Sequence, residues 1–235
     1  MRARFSGQRV LVAGGTGALG GAVSLAFLAE HADVIVTYRK QEGFDALKSV
    51  AGEHGLRLEG QRVDVTDEAA ASSLIETVVA GHGRLDALVN CVGGYAGGVN
   101  LWETEAKVFD QMMALNVRSG FVLARSVIPV MLRQGGGVIV NTASRAALGP
   151  AAGAVAYAAS KAAAVAMIDS LAAEVEETGV RVNSVLPGMI DTPANRRAMP
   201  GADPTEWTKP EVIARVILFL CGDDAGAIHG VALPV

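Results

Sequence analysis

Tyr157 and Lys161 stand four residues apart in the run Tyr157-Ala158-Ala159-Ser160-Lys161. The Ala-rich stretch that follows, Ala162 to Glu177, favours helix, with Gly179 as its stop signal. If the helix includes Tyr157, Lys161 lies one turn on and on the same face. A phenol beside an ammonium makes a proton donor usable near neutral pH. Tyrosine ordinarily titrates near ~10, and a neighbouring positive charge or a helix N-terminus favours the phenolate and lowers that value. Ser144 follows an apolar run, Val138 to Thr142, that reads as a strand, and so brings a hydroxyl towards the phenol. The Tyr-x-x-x-Lys spacing alone also fits a surface lysine beside a half-buried tyrosine. The surroundings must decide.

Those surroundings alternate between strand and helix. Arg9 to Ala13 is a short apolar run, followed by Gly14-Gly15-Thr16-Gly17-Ala18-Leu19-Gly20 and a helical pattern to about His31. Gly15, Gly17 and Gly20 satisfy G-x-G-x-x-G between a strand and a helix, where glycines let backbone N–H groups approach a pyrophosphate at the helix N-terminus. A second strand, Val34 to Tyr38, leads into Arg39 and Lys40, with no carboxylate at its end to bind a ribose 2′-hydroxyl. Two cations there suit a 2′-phosphate, so NADP(H) is favoured over NAD(H). Gln41 to His54 reads as helix, Leu58 to Val65 as a third strand closing on Asp64-Val65, and Thr66 to about His82 as helix. Leu85 to Val92 is a fourth strand, containing Asn90 and running into Gly93-Gly94-Tyr95-Ala96-Gly97-Gly98. One long helix is expected from about Glu103 to Arg133, with Asn116 inside it. Gly135 to Gly137 opens the fifth strand, which delivers Ser144.

Beyond the Tyr157 helix, Val180 to Leu186 forms a sixth strand ending at Pro187-Gly188. The polar, Pro-punctuated stretch around Asp191 to Trp207 reads as a mobile segment (189–207) able to cover a substrate. A helix from Lys209-Pro210 to about Leu220 and a last strand, Ala227 to Val235, complete the chain. This alternation predicts an α/β fold: a single-domain doubly wound parallel sheet of Rossmann type over residues 1–235, with helices on both faces. Ligands of such sheets bind beyond the carboxyl ends of the strands. The glycine-rich turn, Tyr38 to Lys40, Asp64, Asn90 to Gly94, Ser144 and Pro187 to Thr192 all fall there.

Composition narrows the classes. A net charge of −4 with no basic block argues against nucleic acid. Cys91 and Cys221 lack C-x-x-C spacing and the four histidines form no ligand pattern, so reduced thiols and no metal are expected. Met1 to Gly7 shows no signal-peptide core, and the longest apolar tracts are interrupted before membrane-span length, which predicts a cytoplasmic protein with no membrane partner.

With these residues in place the chain resembles the short-chain dehydrogenase/reductase family over essentially its full length. Ser144, Tyr157 and Lys161 match its catalytic residues in type and spacing, Asn116 its fourth, Asp64-Val65 its adenine-contacting pair, and Pro187-Gly188-Met189-Ile190-Asp191-Thr192 its nicotinamide-contacting motif. The resemblance implies carbonyl reduction or alcohol oxidation, with Tyr157 as general acid/base, Ser144 holding the carbonyl oxygen, Lys161 on the nicotinamide ribose and Asn116 anchoring a relay water. It also implies a homotetramer or homodimer, joined through the Glu103–Arg133 and Tyr157–Thr178 helices, with Ala158, Ala162 and Ala166 permitting close approach. The departures are Asn90-Cys91-Val92-Gly93 for the usual N-N-A-G, and Ala13 and Ala18 in the glycine motif. The glycine loop, Gly93 to Gly98 and Asp191 to Pro200 with Trp207-Thr208 are locally similar to quinonoid dihydropteridine reductases, which generally lack the catalytic Ser that this chain has at 144 and use an acidic residue for NADH. Tyr95 and Trp207 are therefore candidate substrate walls. A non-catalytic NADP(H)-binding regulatory protein is the alternative of another class.

Overall fold

A computed structural model describes residues 4–235; Met1, Arg2 and Ala3 of the N-terminal stretch lie outside the described residues. The strands are β1 (Arg9–Ala13), β2 (Asp33–Tyr38), β3 (Leu58–Arg62), β4 (Ala87–Asn90), β5 (Gly137–Thr142), β6 (Val180–Leu186) and β7 (Ala232–Pro234). The helices are α1 (Ala18–Ala29), α2 (Gln41–Ala51), α3 (Glu68–His82), α4 (Ala106–Met113), α5 (Ser119–Gln134), α6 (Val155–Glu174), α7 (Pro193–Ala198) and α8 (Pro210–Cys221). The strands form one seven-stranded parallel sheet in the order β3-β2-β1-β4-β5-β6-β7.

The central strands β1, β2, β4 and β5 read as largely apolar runs because both sheet faces are covered there. On one face Val10, Val12, Val34, Val36, Val89 and Val140 pack with Phe27 and Leu28 of α1 and Ile213 and Ile217 of α8. On the other, Leu11, Ile35, Leu88 and Ile139 pack with Ile75 of α3, Leu123 and Val127 of α5 and Ile168 of α6. Strand order reverses between β1 and β4, opening a crevice at their carboxyl ends. The glycine-rich turn after β1 and the Cys91–Gly94 stretch after β4 flank that crevice.

Several boundaries differ from expectation. The single long helix is three pieces: α4, a π-helical turn over Ala114–Arg118, and α5, preceded by a 3₁₀ turn at Leu101–Glu103. Edge strand β3 stops at Arg62, because Asp64 folds back and its carboxylate accepts from the Thr66 N–H at 2.9 Å. Helix α2 ends at Ala51, where Gly52 turns to φ 53°. The last strand is confined to Ala232–Pro234. The segment expected to cover a substrate contains α7 and a 3₁₀ turn at Pro204–Glu206, and is tied back by an Ile190–Thr208 bridge. Two stretches, Ala106–Gln134 and Val155–Glu174, are long and apolar enough to cross a membrane, contrary to the sequence reading. Both nevertheless bury one face in the protein.

Candidate active site

The turn after β1 is shaped by backbone contact. Gly14 adopts φ 72°, and its N–H donates to the Thr37 hydroxyl at 2.9 Å. A Cβ on Gly15 would sit 2.5 Å from Val36 Cγ1, and one on Gly20 would collide with the Gly14 carbonyl oxygen. These two glycines bring α1 tightly against the turn, and the first turn of α1 carries no acidic side chain. Its free N–H groups and positive dipole end suit an anion.

A cleft of about 500 Å³ opens in front of this turn. Of the residues expected to hold a dinucleotide, it is lined by Gly14, Thr16, Gly17, Tyr38, Arg39, Lys40, Asp64, Val65 and Gly93. Gly15, Ala18, Leu19 and Gly20 shape the turn and the start of α1 without lining the cleft. Asn90, Pro187, Gly188, Ile190 and Thr192 also lie outside its lining. Asn90 is buried and spends its side chain inside the protein, donating to Asn141 Oδ1 and accepting from the Val92 N–H. The Thr192 hydroxyl caps α7 by accepting from the Asn195 N–H.

Cys91 and Val92, within the Asn90 to Gly94 stretch, also line it, and Thr37, Glu42, Gly43, Val63, Thr66 and Leu115, which escaped the sequence reading, complete the lining. Thr37 carried a usable signal, a polar residue inside an otherwise apolar strand. Arg39 and Lys40 are exposed, and neither joins an ion pair among the described residues. The Thr66 N–H and hydroxyl hold the Asp64 carboxyl below its ordinary value, with a smaller contribution from Arg39.

Tyr157 and Lys161 also lie outside the lining, but its Gly93 wall backs onto Lys161: a Cβ there would lie 3.2 Å from Lys161 Nζ and 2.8 Å from Asn116 Oδ1. Lys161 is buried, and its ammonium donates to the Thr142 carbonyl at 3.0 Å. Burial pulls its pKa down to about 8. The same surroundings push the Cys91 thiol up to about 12, so it has little thiolate character. Tyr157 is half-buried in the first turn of α6, and burial raises its phenol above the ordinary value. The nearby Ser144 hydroxyl opposes that rise and Tyr95 adds to it, while the Ser144 oxygen itself accepts from the Ala146 N–H at 3.2 Å. The depression expected from Lys161 is not found: burial sets the direction of the shift, and the ammonium is directed at the Thr142 carbonyl.

Asn116 sits in the π-helical turn, not in a regular helix. Its amide clamps Gly94 on both backbone groups, accepting from N–H at 2.9 Å and donating to C=O at 3.1 Å. It also donates to the buried Ser160 hydroxyl, which sequence reasoning passed over. The Tyr95 ring stands edge-on to Tyr157, with centroids 5.0 Å apart. Trp207 is half-buried, follows the 3₁₀ turn at Pro204–Glu206 and forms no aromatic pair among the described residues.

Comparisons with known proteins agree with this fold. Residues 8–202 match the family model for short chain dehydrogenase. The chain is 32% identical to a 3-oxoacyl-[acyl-carrier-protein] reductase from Thermotoga maritima, covering 97% of this chain and 95% of the relative. Among solved structures it is similar to ElxO with NADP bound, at TM-score 0.92 and 26% identity over 97% of this chain and 96% of the other. It is also similar to an NAD⁺-bound xylitol dehydrogenase, at TM-score 0.91 and 26% identity over 99% and 98%. The chain therefore belongs to the short-chain dehydrogenase/reductase family, nicotinamide-dependent enzymes that act on CH–OH and C=O groups.

Proposed function

We propose that this enzyme uses NADP(H) to reduce a carbonyl of a small substrate, or oxidise the corresponding alcohol, with Tyr157 as the proton donor and acceptor. The observation that carries the reading is the half-buried Tyr157 phenol in the first turn of α6, one turn before the buried Lys161, whose ammonium lies behind Gly93 of a glycine-walled cleft, with the Ser144 hydroxyl close enough to act on the phenol. Arg39 and Lys40 line the same cleft and offer two cations to a 2′-phosphate. Glu42 also borders it, but lies on α2 and not at the end of β2.

The glycine turn and the α1 N-terminus would hold the pyrophosphate, with Asp64 and Val65 against the adenine. Pro187, Gly188, Ile190 and Thr192 would lie along the nicotinamide. The bound cofactor supplies hydride to the carbonyl carbon. As charge develops on the carbonyl oxygen, Tyr157 gives it the phenolic proton while Ser144 donates a hydrogen bond to the same oxygen. The raised phenol keeps Tyr157 protonated across neutral pH, which suits the reductive direction. Lys161 would offer its ammonium to the nicotinamide ribose and stabilise the phenolate left behind. Asn116 holds Gly94 in place and would anchor a water leading to Lys161.

The deciding assay follows NADPH and NADH oxidation by the protein and by Tyr157→Phe across ketones, a β-ketoacyl thioester and a quinonoid dihydropterin. Tyr157-dependent turnover supports the reading. Preferred turnover of the dihydropterin would favour the pteridine reductase instead, a reading supported by the ring of Tyr95 beside Tyr157. NADPH binding with no turnover of any compound would favour the non-catalytic alternative.

A homodimer or homotetramer is part of the same proposal. Helices α5 and α6 leave a groove of about 400 Å³ lined by Phe121, Ile128, Met167 and Leu171, and Phe121 is half exposed. A second copy of the chain would cover it. Light scattering on the protein and on Phe121→Glu checks this, and a monomeric wild type would refute it.

A further inference from the structure

Tyr38 is the last residue of β2 and the one aromatic side chain among the described residues that line the cleft. The end of this strand is where a carboxylate would grip a ribose, and the chain puts a ring there instead. Charge reaches the same cleft from Arg39, Lys40, Glu42 and Asp64.

The structure fixes Tyr38 at three points. Its carbonyl accepts from the Val63 N–H at 3.1 Å, which ties the backbone to the stretch after β3. Its hydroxyl donates to Gln41 Oε1 at 2.7 Å, and Gln41 Nε2 donates in turn to Asp45 Oδ1 at 2.9 Å. Its ring lies nearly parallel to that of Phe44, with centroids 5.1 Å apart and 8° between the planes. Phe44 is half-buried on α2, packs against the core and does not itself line the cleft. One ring therefore backs the other.

Gly60 makes this backing possible. It sits inside β3, where a glycine ordinarily weakens the strand or marks a close approach. A Cβ on Gly60 would lie 2.5 Å from Phe44 Cε2 and 2.6 Å from Cζ, so any side chain there must displace the Phe44 ring. Phe44 is thus lodged between the main chain of the edge strand and the ring of Tyr38.

An aromatic ring held firmly at a cleft wall is a platform for a flat base or a sugar face. We infer that Phe44 is a positioning residue for the cofactor: it holds the Tyr38 ring as a fixed wall against the adenosine end of the dinucleotide, and Gly60 leaves the room it needs. This rests on the reading of the cleft as the dinucleotide site. Contact through a ring is indifferent to a 2′-phosphate, so it serves both cofactors alike and is separate from the contribution of Arg39.

The test measures Kd for ADP-ribose and 2′-phospho-ADP-ribose by calorimetry, and stability by urea unfolding. The proteins are wild type, Tyr38→Ala, Phe44→Leu, Gly60→Ala and the double variant Tyr38→Ala/Phe44→Leu. Tyr38→Ala should weaken both ligands by about 10-fold or more, the scale of a base stacked on an aromatic ring. Phe44→Leu keeps an apolar side chain against the core and should weaken both by about 3–10-fold, as should Gly60→Ala, which retains Phe44 but displaces it. In the Tyr38→Ala background Phe44→Leu should change neither Kd by more than about twofold, because a residue acting through Tyr38 has nothing left to act on. A merely structural Phe44 would lower the urea midpoint and leave both Kd values at wild type, which overturns the inference. Equal losses from Phe44→Leu with and without Tyr38, or a loss confined to the 2′-phosphorylated ligand, would overturn it too. Failure of wild type to bind either ligand would instead remove the reading of the cleft on which it rests.

Discussion

The Asn116 amide donates to the Ser160 hydroxyl at 2.9 Å, and that hydroxyl donates onward to the Tyr157 carbonyl at 2.7 Å. A side chain from the π-helical turn is thereby fastened to the first turn of α6, which carries the phenol. Both side chains are buried, so neither bond is readily replaced by water. Ser160→Ala removes the link. Asn116 keeps Gly94 as a partner, so the expected stability loss is about 1 kcal/mol, read from urea unfolding. The loss in kcat should be about tenfold at unchanged cofactor affinity, in proportion to the effect of small misplacement on oriented groups. Equal kcat in variant and wild type would show that the link carries stability alone.

Tyr157→Phe should lower kcat/KM by about 10²–10⁴-fold, the usual contribution of a positioned acid, while NADPH binding measured by fluorescence persists. In the cofactor-free protein, an ultraviolet difference titration of wild type against Tyr157→Phe should place the phenol above the ordinary value of 10.0. A midpoint at or below that value would mean that the Lys161 charge prevails over burial after all.

Lys161 makes a pH signature. Its pKa falls from 10.5 to about 8 on burial, so between these values the unfolded chain binds more protons than the native one. Its contribution to stability is therefore complete above 10.5 and is lost as pH falls through about 8. Lys161→Met removes the titration. The stability of wild type relative to Lys161→Met should rise as pH increases from 8 to 10.5, measured by denaturant unfolding at each pH. A difference that stays flat would place the ammonium in contact with water.

Arg39 offers the cofactor test. Arg39→Ala should raise KM for NADPH by about 10–100-fold, as expected from losing a charge-assisted hydrogen bond to phosphate. KM for NADH should move by less than about threefold. Equal effects on the two cofactors would leave Arg39 without a role in choosing between them.

Gly20→Ala places a methyl group into the Gly14 carbonyl oxygen, which is backbone and has no side-chain freedom to give way. The expected cost is about 1–3 kcal/mol, as for overpacking elsewhere, with weakened binding of both cofactors because the turn must open. Thermal unfolding and cofactor titration check both parts. A variant as stable as wild type would mean that α1 can shift outward freely.

The fold was legible because the interior strands are buried on both faces and so appear as continuous Val- and Ile-rich runs punctuated by glycine. The glycine turn was legible for the same reason, as its spacing sits between one such run and a helix. Ser160 was not, since a serine inside an Ala-rich helix looks like an ordinary polar position until Asn116 is brought to it from another element. The direction of the Tyr157 shift was missed because sequence shows that Lys161 is near but not where its ammonium aims, nor how much water burial removes.

The π-helical turn has a consequence for insertions and deletions. An α-helix advances about 100° per residue, so a turn holding one residue more than usual shifts the angular phase of everything after it by about that amount. Met112 faces inward before Ala114–Arg118, and Val122, Leu123 and Val127 face inward after it. Deleting one residue from the turn would give a smoother helix with better local geometry, yet would rotate the α5 stripe out of register with the sheet by about a quarter of a circle. The irregular turn thus acts as a phase corrector between two buried stripes, and Asn116 occupies the slot it creates.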